Sequence, residues 1–215
     1  MPKSSAPFGR RPVLCMITDG SASSEAVLVA TVGSAARAGV DLIQIREGHL
    51  DDRRLFDMTR AALRVLAGTG ARLLVNDRLD VARSAGADGV HLRANSFGAA
   101  RVRSLTPPGF LVGRSIHSEQ EAVDAEAEGG CDYLVFGTVF ASDSKPEGHV
   151  AAGLDALARV CERVRLPVLA IGGMTIERAA AVARTGAAGV AGIGLFSRAA
   201  DMAAVVTGLR SPFDT

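Results

Sequence analysis

The chain is poor in the residues that mark several classes of protein. Its 215 residues include three cysteines, one tyrosine and no tryptophan, and only 4% are aromatic. Cys15, Cys131 and Cys161 are too widely spaced for a metal-ligand pattern, and we expect them to be reduced, buried thiols. So few aromatic side chains also argue against a surface on which nucleic acid bases stack.

Charge imbalance and long apolar runs are also lacking. The formal net charge of +1 gives no electrostatic reason to expect nucleic acid or an acidic membrane as a partner. No stretch approaches the roughly 20 apolar residues of a membrane span, and residues 1–12 do not resemble a signal peptide. We therefore expect a cytoplasmic protein, with a flexible tail at residues 1–12 and one folded domain at residues 13–210.

Short apolar runs alternate with helical patterns along the whole chain. The runs are continuous, as in parallel strands that are buried on both faces. A weak repeat places a glycine before several of them, for example Gly39 and Gly86. The pattern predicts a single (β/α)8 barrel of the α/β class; the alternative, a doubly wound sheet, lacks its G-x-G-x-x-G turn. The predicted strands are Val13–Thr18, Leu42–Arg46, Arg72–Asn76, Gly89–Leu92, Leu111–Ser115, Tyr133–Phe136, Val168–Ile171 and Gly189–Ile193.

The two last predicted strands are each followed at once by glycine. Gly172 and Gly173 come after the seventh strand, and Gly194 and Leu195 come after the eighth. Glycine lets backbone N–H groups approach a ligand, and these two loops of a barrel often hold a phosphate group. The sequence therefore predicts a phosphate-binding cup formed by these four residues.

Polar residues stand at the carboxyl ends of the other predicted strands, where barrel enzymes place their chemistry. With the glycine loops they would surround a small anionic ligand. The candidates are Gln44, Arg46, Asn76, Asp77, Ser115, His117 and Thr138.

Several of these candidates also have a structural interpretation. Arg46 could form a salt bridge, and Asn76 with Asp77 could cap the following short helix. His91, inside the fourth strand, is more typical of a histidine that is satisfied within the core. Lys145 lies in the long loop 137–152, which is either solvated or a lid. Because no G-x-S-x-G, H-E-x-x-H or Walker motif occurs, the residues alone indicate a phosphate-binding barrel enzyme of undetermined reaction.

Several short segments follow one another in a distinctive order and spacing. They are IQIRE at 43–47, VNDR at 75–78, ADGVHL at 87–92, GRSIHS at 113–118, DYLVFG at 132–137 with Val139 and Phe140, Lys145, and AIGGMT at 170–175. In this order they resemble the family that joins thiamine phosphate synthase and thiazole tautomerase, over nearly the whole chain from Val13 to Arg198. The resemblance implies a (β/α)8 barrel that binds thiazole phosphate with the glycine loops after strands seven and eight.

The resemblance implies one of two activities. Synthases join hydroxymethylpyrimidine diphosphate to thiazole phosphate and release pyrophosphate with Mg²⁺, whereas tautomerases isomerise thiazole phosphate carboxylate to its aromatic tautomer without metal. The synthase pattern has a lysine where Gly48 stands, and an acidic residue after strand four where residues 93–97 have none. Asp77 alone would be a poor Mg²⁺ site. We therefore expect the tautomerase reaction without a cofactor, and keep the synthase, with Mg²⁺ at Asp77, as the alternative.

One position departs from the tautomerase pattern. The histidine that moves the proton in tautomerases is replaced here by Thr138, whose hydroxyl is a poor base near neutral pH. Thr138, His117 and Lys145 are the candidate catalytic residues, with His149 as a further possible proton carrier. A phosphate-ligand binder without catalytic activity is the third hypothesis. The resemblance also implies a phosphorylated thiazole as the small-molecule partner, and a homo-oligomer.

Overall fold

Eight parallel strands close into a barrel, and a helix follows each strand. The computed structural model describes residues 8, 12–142, 148 and 150–213. The first and last strands pair in parallel, which confirms the single (β/α)8 barrel and excludes the open, doubly wound sheet. The strands are β1 Val13–Ile17, β2 Leu42–Ile45, β3 Arg72–Asn76, β4 Gly89–Leu92, β5 Leu111–Ile116, β6 Tyr133–Gly137, β7 Val168–Ile171 and β8 Gly189–Gly192. The helices are α1 Glu25–Ala38, α2 Asp52–Leu66, α3 Leu79–Ala85, α4 Ala99–Ser104, α5 Glu119–Glu128, α6 Gly153–Arg163, α7 Ile176–Ala183, α8 Gly194–Ser197 and α9 Met202–Arg210, followed by a 3₁₀ turn at Ser211–Phe213.

The strands contribute to two apolar cores because successive side chains point to opposite faces. Cys15 belongs to a core that also contains Leu74 and Tyr133, whereas its neighbours Leu14 and Met16 belong to the larger core that includes helix residues. The continuous apolar runs of the sequence therefore have the burial expected for a parallel barrel. Burial raises the pKa of the Cys15 thiol to about 12, so this thiol stays neutral.

The predicted tail reaches the barrel at one described position. Residues 1–7 and 9–11 lie outside the described part of the chain. Phe8 is buried, and its ring packs edge-on against Tyr133 with centroids 5.7 Å apart. The guanidinium carbon of Arg72 lies 5.8 Å from the centre of the Phe8 ring. Phe8 therefore belongs to the inner core.

The glycine repeat has the structural meaning that the sequence predicts. Gly39 follows α1 with φ 103° and Gly86 follows α3 with φ 80°, and both backbone N–H groups bond to carbonyls of the last helical turn. Glycine adopts this left-handed conformation without steric cost and so stops each helix.

The aspartates of the same repeat join neighbouring strands, a role that the sequence analysis missed. Asp41, Asp88 and Asp132 come just before β2, β4 and β6. Their carboxylates accept a hydrogen bond from the second N–H of β1, β3 and β5, at 2.8, 2.7 and 2.7 Å respectively. Ala188 holds the corresponding position before β8. The aspartates therefore satisfy strand N–H groups at the amino-terminal edge of the barrel.

Two local expectations need correction. The helical pattern of the sequence predicts a helix from Ser96 to Leu105. The helix begins only at Ala99, because the Ser96 hydroxyl bonds to the Asp77 carboxylate and accepts the Arg93 N–H in a turn instead. The sequence also predicts a capping box of Ser118 and Glu121 at the start of α5. Ser118 does cap α5, but the Glu121 carboxylate accepts the N–H of His117 at 2.6 Å, one residue earlier than in a capping box. None of the helices in the described part of the chain combines the length and apolar character that a membrane crossing requires.

Candidate active site

One cavity of about 1080 Å³ opens at the carboxyl ends of the strands. It is lined by residues from both the glycine loops and the other strand ends, so most of the predicted site is brought together. Asp77 does not line it, and Lys145 and His149 lie outside the described residues. The predicted site residues that line the cavity are Gln44, Arg46, Asn76, Ser115, His117, Thr138, Gly172, Gly173, Gly194 and Leu195.

The first two positions of the loop after β7 can be occupied only by glycine. Gly172 and Gly173 have φ angles of 102° and 59°, which side chains disfavour. A Cβ atom on Gly172 would overlap Thr138, and one on Gly173 would overlap the carbonyl oxygen of Ala141. The close approach of this loop to the chain after β6 therefore shapes one wall of the cavity.

Two arginines flank the glycine loops, and the sequence analysis missed both. Arg178 donates a hydrogen bond to the carbonyl of Gly173, and its guanidinium carbon lies 4.6 Å from the centre of the Phe140 ring. Arg198 lies so close to Gly194 that a Cβ atom on Gly194 would overlap the guanidinium group of Arg198. Each arginine follows a loop glycine by about one helical turn, which is the signal that could have revealed them. Both line the cavity and make the predicted cup positively charged.

The opposite wall contains two amide side chains that are joined by a hydrogen bond. Gln44 donates from Nε2 to Asn76 Oδ1 at 2.8 Å across β2 and β3. Gln44 is only 2% exposed, and its Oε1 has no hydrogen-bond partner among the described residues. A buried acceptor without a partner costs about 1–3 kcal/mol, so this oxygen favours a ligand that donates a hydrogen bond.

His91 lines the cavity and lies between two hydroxyl groups. Its Nδ1 is 3.0 Å from the Tyr133 hydroxyl and its Nε2 is 2.9 Å from Ser115 Oγ. Burial lowers the pKa of His91 to about 4, and Arg46 adds to the lowering while Asp77 opposes it. The imidazole is therefore neutral at physiological pH, as the interpretation of a satisfied core histidine requires.

His117 is held by the backbone beside Thr138. Its Nδ1 lies 2.7 Å from the carbonyl oxygen of Gly137, so Nδ1 carries the proton and donates this bond. Thr138 is only 6% exposed, and its own carbonyl accepts the N–H of Ala152 at 2.8 Å. Both residues therefore form part of the wall between β5, β6 and the start of α6.

Asp77 is engaged by neighbours on the next strand end. Its φ of 59° is in the left-handed region, and its N–H donates to the carbonyl of His91 at 2.8 Å. The carboxylate accepts a hydrogen bond from Ser96 and lies 3.6 Å from Nε of Arg93. Among the described residues, no group of three or more His, Cys, Asp or Glu side chains could hold a metal. One carboxylate beside a guanidinium group does not fit a Mg²⁺ ion, which prefers several oxygen ligands.

The comparisons with known proteins identify the family. A family model described as thiamine monophosphate synthase matches residues 14–196. The chain belongs to this family. The thiamine-phosphate synthase of Methanoculleus marisnigri is 43% identical over 82% of this chain and 83% of its own length. That of Chlorobium luteolum is 37% identical over 87% and 86%. The thiamine phosphate pyrophosphorylase of Pyrococcus furiosus has a similar structure, with a TM-score of 0.82 and 31% identity over 94% of this chain and 96% of its own.

These family relationships correct the expectation of a tautomerase. The chain's similarity to proteins named thiamine-phosphate synthase extends over most of its length, and the isomerase prediction is wrong. The expectation relied on two departures, Gly48 and the missing carboxylate at residues 93–97. Each of these departures is confined to one loop, whereas the similarity to the synthases includes the strands and the glycine loops.

Proposed function

We propose that the protein is a thiamine-phosphate synthase, which joins a hydroxymethylpyrimidine diphosphate to a thiazole phosphate. The observation that carries this proposal is the division of one cavity into two polar zones. One zone has the glycine loops with Arg178 and Arg198, and the other has Gln44, whose Oε1 has no partner among the described residues. A cavity of about 1080 Å³ is large for one small ligand, and a condensing enzyme must hold two.

The chemistry of the two zones matches the two substrates. Backbone N–H groups of a glycine loop and nearby guanidinium groups bind phosphate well, so the thiazole phosphate takes the zone of Gly173 and Arg198. The pyrimidine carries an exocyclic amino group, which can donate a hydrogen bond to Gln44 Oε1. Arg46, which directly follows β2, also lines the cavity, and it forms no ion pair with a carboxylate of the described residues. We therefore assign the diphosphate to Arg46.

The reaction needs positioning more than proton transfer. The thiazole nitrogen forms a bond to the pyrimidine methylene carbon, and the diphosphate leaves with the electron pair of the broken C–O bond. The attacking nitrogen brings its own lone pair, so no side chain has to remove a proton from it. Holding the two reactants in one cavity provides a large part of the rate enhancement by proximity. His117 and Thr138 then act as wall residues, and a role for Lys145 stays a prediction, as does the homo-oligomer.

A single assay tests the proposal. The protein is incubated with both substrates, and thiamine phosphate and pyrophosphate are measured by chromatography. We expect the two products in equal amounts, and neither product when either substrate is omitted. If thiazole phosphate binds in calorimetry but no thiamine phosphate forms under any metal condition, the synthase proposal is overturned, and a non-catalytic binding protein explains the cavity.

A further inference from the structure

Arg93 occupies a position where the family resemblance led us to look for a metal ligand. Residues 93–97, after β4, contain no carboxylate, and the segment instead places a guanidinium group beside Asp77. The distance from Arg93 Nε to Asp77 Oδ2 is 3.6 Å. The Ser96 hydroxyl bonds to the other carboxylate oxygen. Both oxygens of Asp77 are therefore engaged by groups of this loop.

The loop is built to present Arg93 to the cavity. The Arg93 N–H donates to Ser96 Oγ at 2.9 Å, which closes a turn over residues 93–96. The Arg93 side chain is 61% exposed and lines the cavity together with Arg46. Nε is the Arg93 nitrogen that lies nearest to Asp77, and neither terminal nitrogen of the guanidinium group donates a hydrogen bond to another described residue.

The charge of the cavity favours an anion at this position. Four arginines line it, Arg46, Arg93, Arg178 and Arg198, and the only lining carboxylate among the described residues belongs to Asp19. A guanidinium group can bind two phosphate oxygens at once and stays protonated at every physiological pH. Arg178 and Arg198 flank the glycine loops. Arg46 and Arg93 therefore remain for a second anionic group.

We propose that Arg93 binds the diphosphate of the pyrimidine substrate in the place of a divalent cation, so that diphosphate binding here requires no metal. The inference rests on the proposed synthase function and specifies how this site handles the leaving group. As the C–O bond breaks, the departing diphosphate gains the electron pair and one negative charge. Arg93 offsets that charge, while Asp77 and Ser96 fix the loop that positions the guanidinium group.

The binding of inorganic pyrophosphate tests the inference without turnover. Calorimetry is performed in metal-free buffer and again with Mg²⁺. We expect wild-type protein to bind in metal-free buffer and Arg93→Ala to bind at least about tenfold more weakly, as for the loss of one charge-assisted contact. Arg101→Ala is the matched control, because Arg101 is exposed on α4 and does not line the cavity. Wild-type binding that appears only with Mg²⁺, or equal affinities of the two variants, overturns the inference.

A second variant replaces the proposed guanidinium site by a site for a divalent cation. Replacing both residues, Arg93→Gly with Ser96→Asp, removes the guanidinium group and places a second carboxylate beside Asp77. We expect this protein to bind Mn²⁺ measurably by electron paramagnetic resonance, and to bind pyrophosphate only when the metal is present. Circular dichroism confirms that it is folded. Undiminished pyrophosphate binding by this double variant in metal-free buffer would contradict a role for Arg93.

Turnover measurements separate this inference from the proposed function. Thiamine phosphate formed only in the presence of Mg²⁺ supports the synthase and overturns the role of Arg93. If pyrophosphate binds without metal and this binding depends on Arg93, but no product forms, the result supports the anion site and overturns the synthase proposal.

Discussion

Gln44 donates a hydrogen bond to Asn76 at 2.8 Å, and its amide oxygen, Oε1, is buried without a partner among the described residues. The bond fixes the orientation of the Gln44 amide across two strands. The protein therefore tolerates a buried, unpartnered acceptor in its binding cavity, which native structures rarely do. A ligand that supplies a donor removes this cost when it binds.

The first prediction concerns this acceptor. Gln44→Met keeps the length of the side chain but removes the acceptor, so the affinity for the pyrimidine diphosphate should fall about tenfold, which corresponds to about 1.4 kcal/mol. Calorimetry of the pyrimidine diphosphate measures it. Gln120→Met is the control, because Gln120 is exposed on α5 and bonds only to Asp124 among the described residues. Equal affinities of the two variants would show that Oε1 does not contact the ligand.

The second prediction concerns the phosphate cup. Gly173→Val should abolish binding of thiazole phosphate, because its side chain would overlap Ala141 and Phe140 in a loop with φ 59°. Gly109→Ala is the matched control. Gly109 also has a positive φ, 82°, but a Cβ atom there meets nothing within 4 Å. Gly109→Ala should lower the free energy of unfolding by about 1 kcal/mol through backbone strain alone and leave the affinity for thiazole phosphate unchanged. Unchanged affinity in a folded Gly173→Val protein would rule out the cup.

The third prediction concerns pH and His91. Its folded-state pKa of about 4 lies below the usual 6.5, so as pH falls the unfolded chain takes up the proton first. Stability should therefore decrease below pH 6.5, by about 2 kcal/mol between pH 7 and pH 4.5 from this group alone. In the His91→Gln protein, the part of this decrease in stability that comes from His91 should be absent, and the part that comes from the carboxylates should remain. Chemical denaturation of both proteins at the two pH values measures the difference, and parallel pH profiles would refute the assignment.

The fourth prediction concerns the aspartates that join the strands. Asp88→Ala removes the acceptor of the Leu73 N–H and leaves a strand N–H without its partner, so unfolding free energy should fall by about 1–3 kcal/mol. Asp88→Asn keeps an acceptor oxygen and should lose less. The activity of the folded molecules should not change, because Asp88 lies at the edge of the barrel opposite the cavity. Equal denaturation midpoints for Asp88→Ala and the wild type would refute this role.

The barrel could be predicted from the sequence because its signals are local. Continuous apolar runs and helix-ending glycines such as Gly39 each depend on a few neighbouring residues, and both recur along the chain. The longer prediction for α4 failed because the Ser96 hydroxyl bonds to Asp77, which is 19 residues away in sequence. A helical pattern does not reveal such a competing partner.

The site was predictable in position but not in chemistry. The strand-end rule found Gln44 and Gly173, yet the reaction depends on side chains that meet only in the fold. Arg93 illustrates this, since the role proposed for it is inferred from its contact with Asp77 and from the cavity that it shares with Arg46. Judged as isolated motif positions, Gly48 and the missing carboxylate at residues 93–97 led to the wrong branch of the family.

The four arginines of the cavity also determine how a substrate arrives. The whole chain has a formal net charge of only +1, so this concentration of positive charge is balanced by acidic groups elsewhere. A multiply charged anion is therefore attracted towards the mouth of the barrel rather than towards the protein as a whole. The capture rate should consequently decrease with ionic strength much more steeply than a charge of +1 would suggest, because salt screens the local field within about 8 Å at 0.15 M.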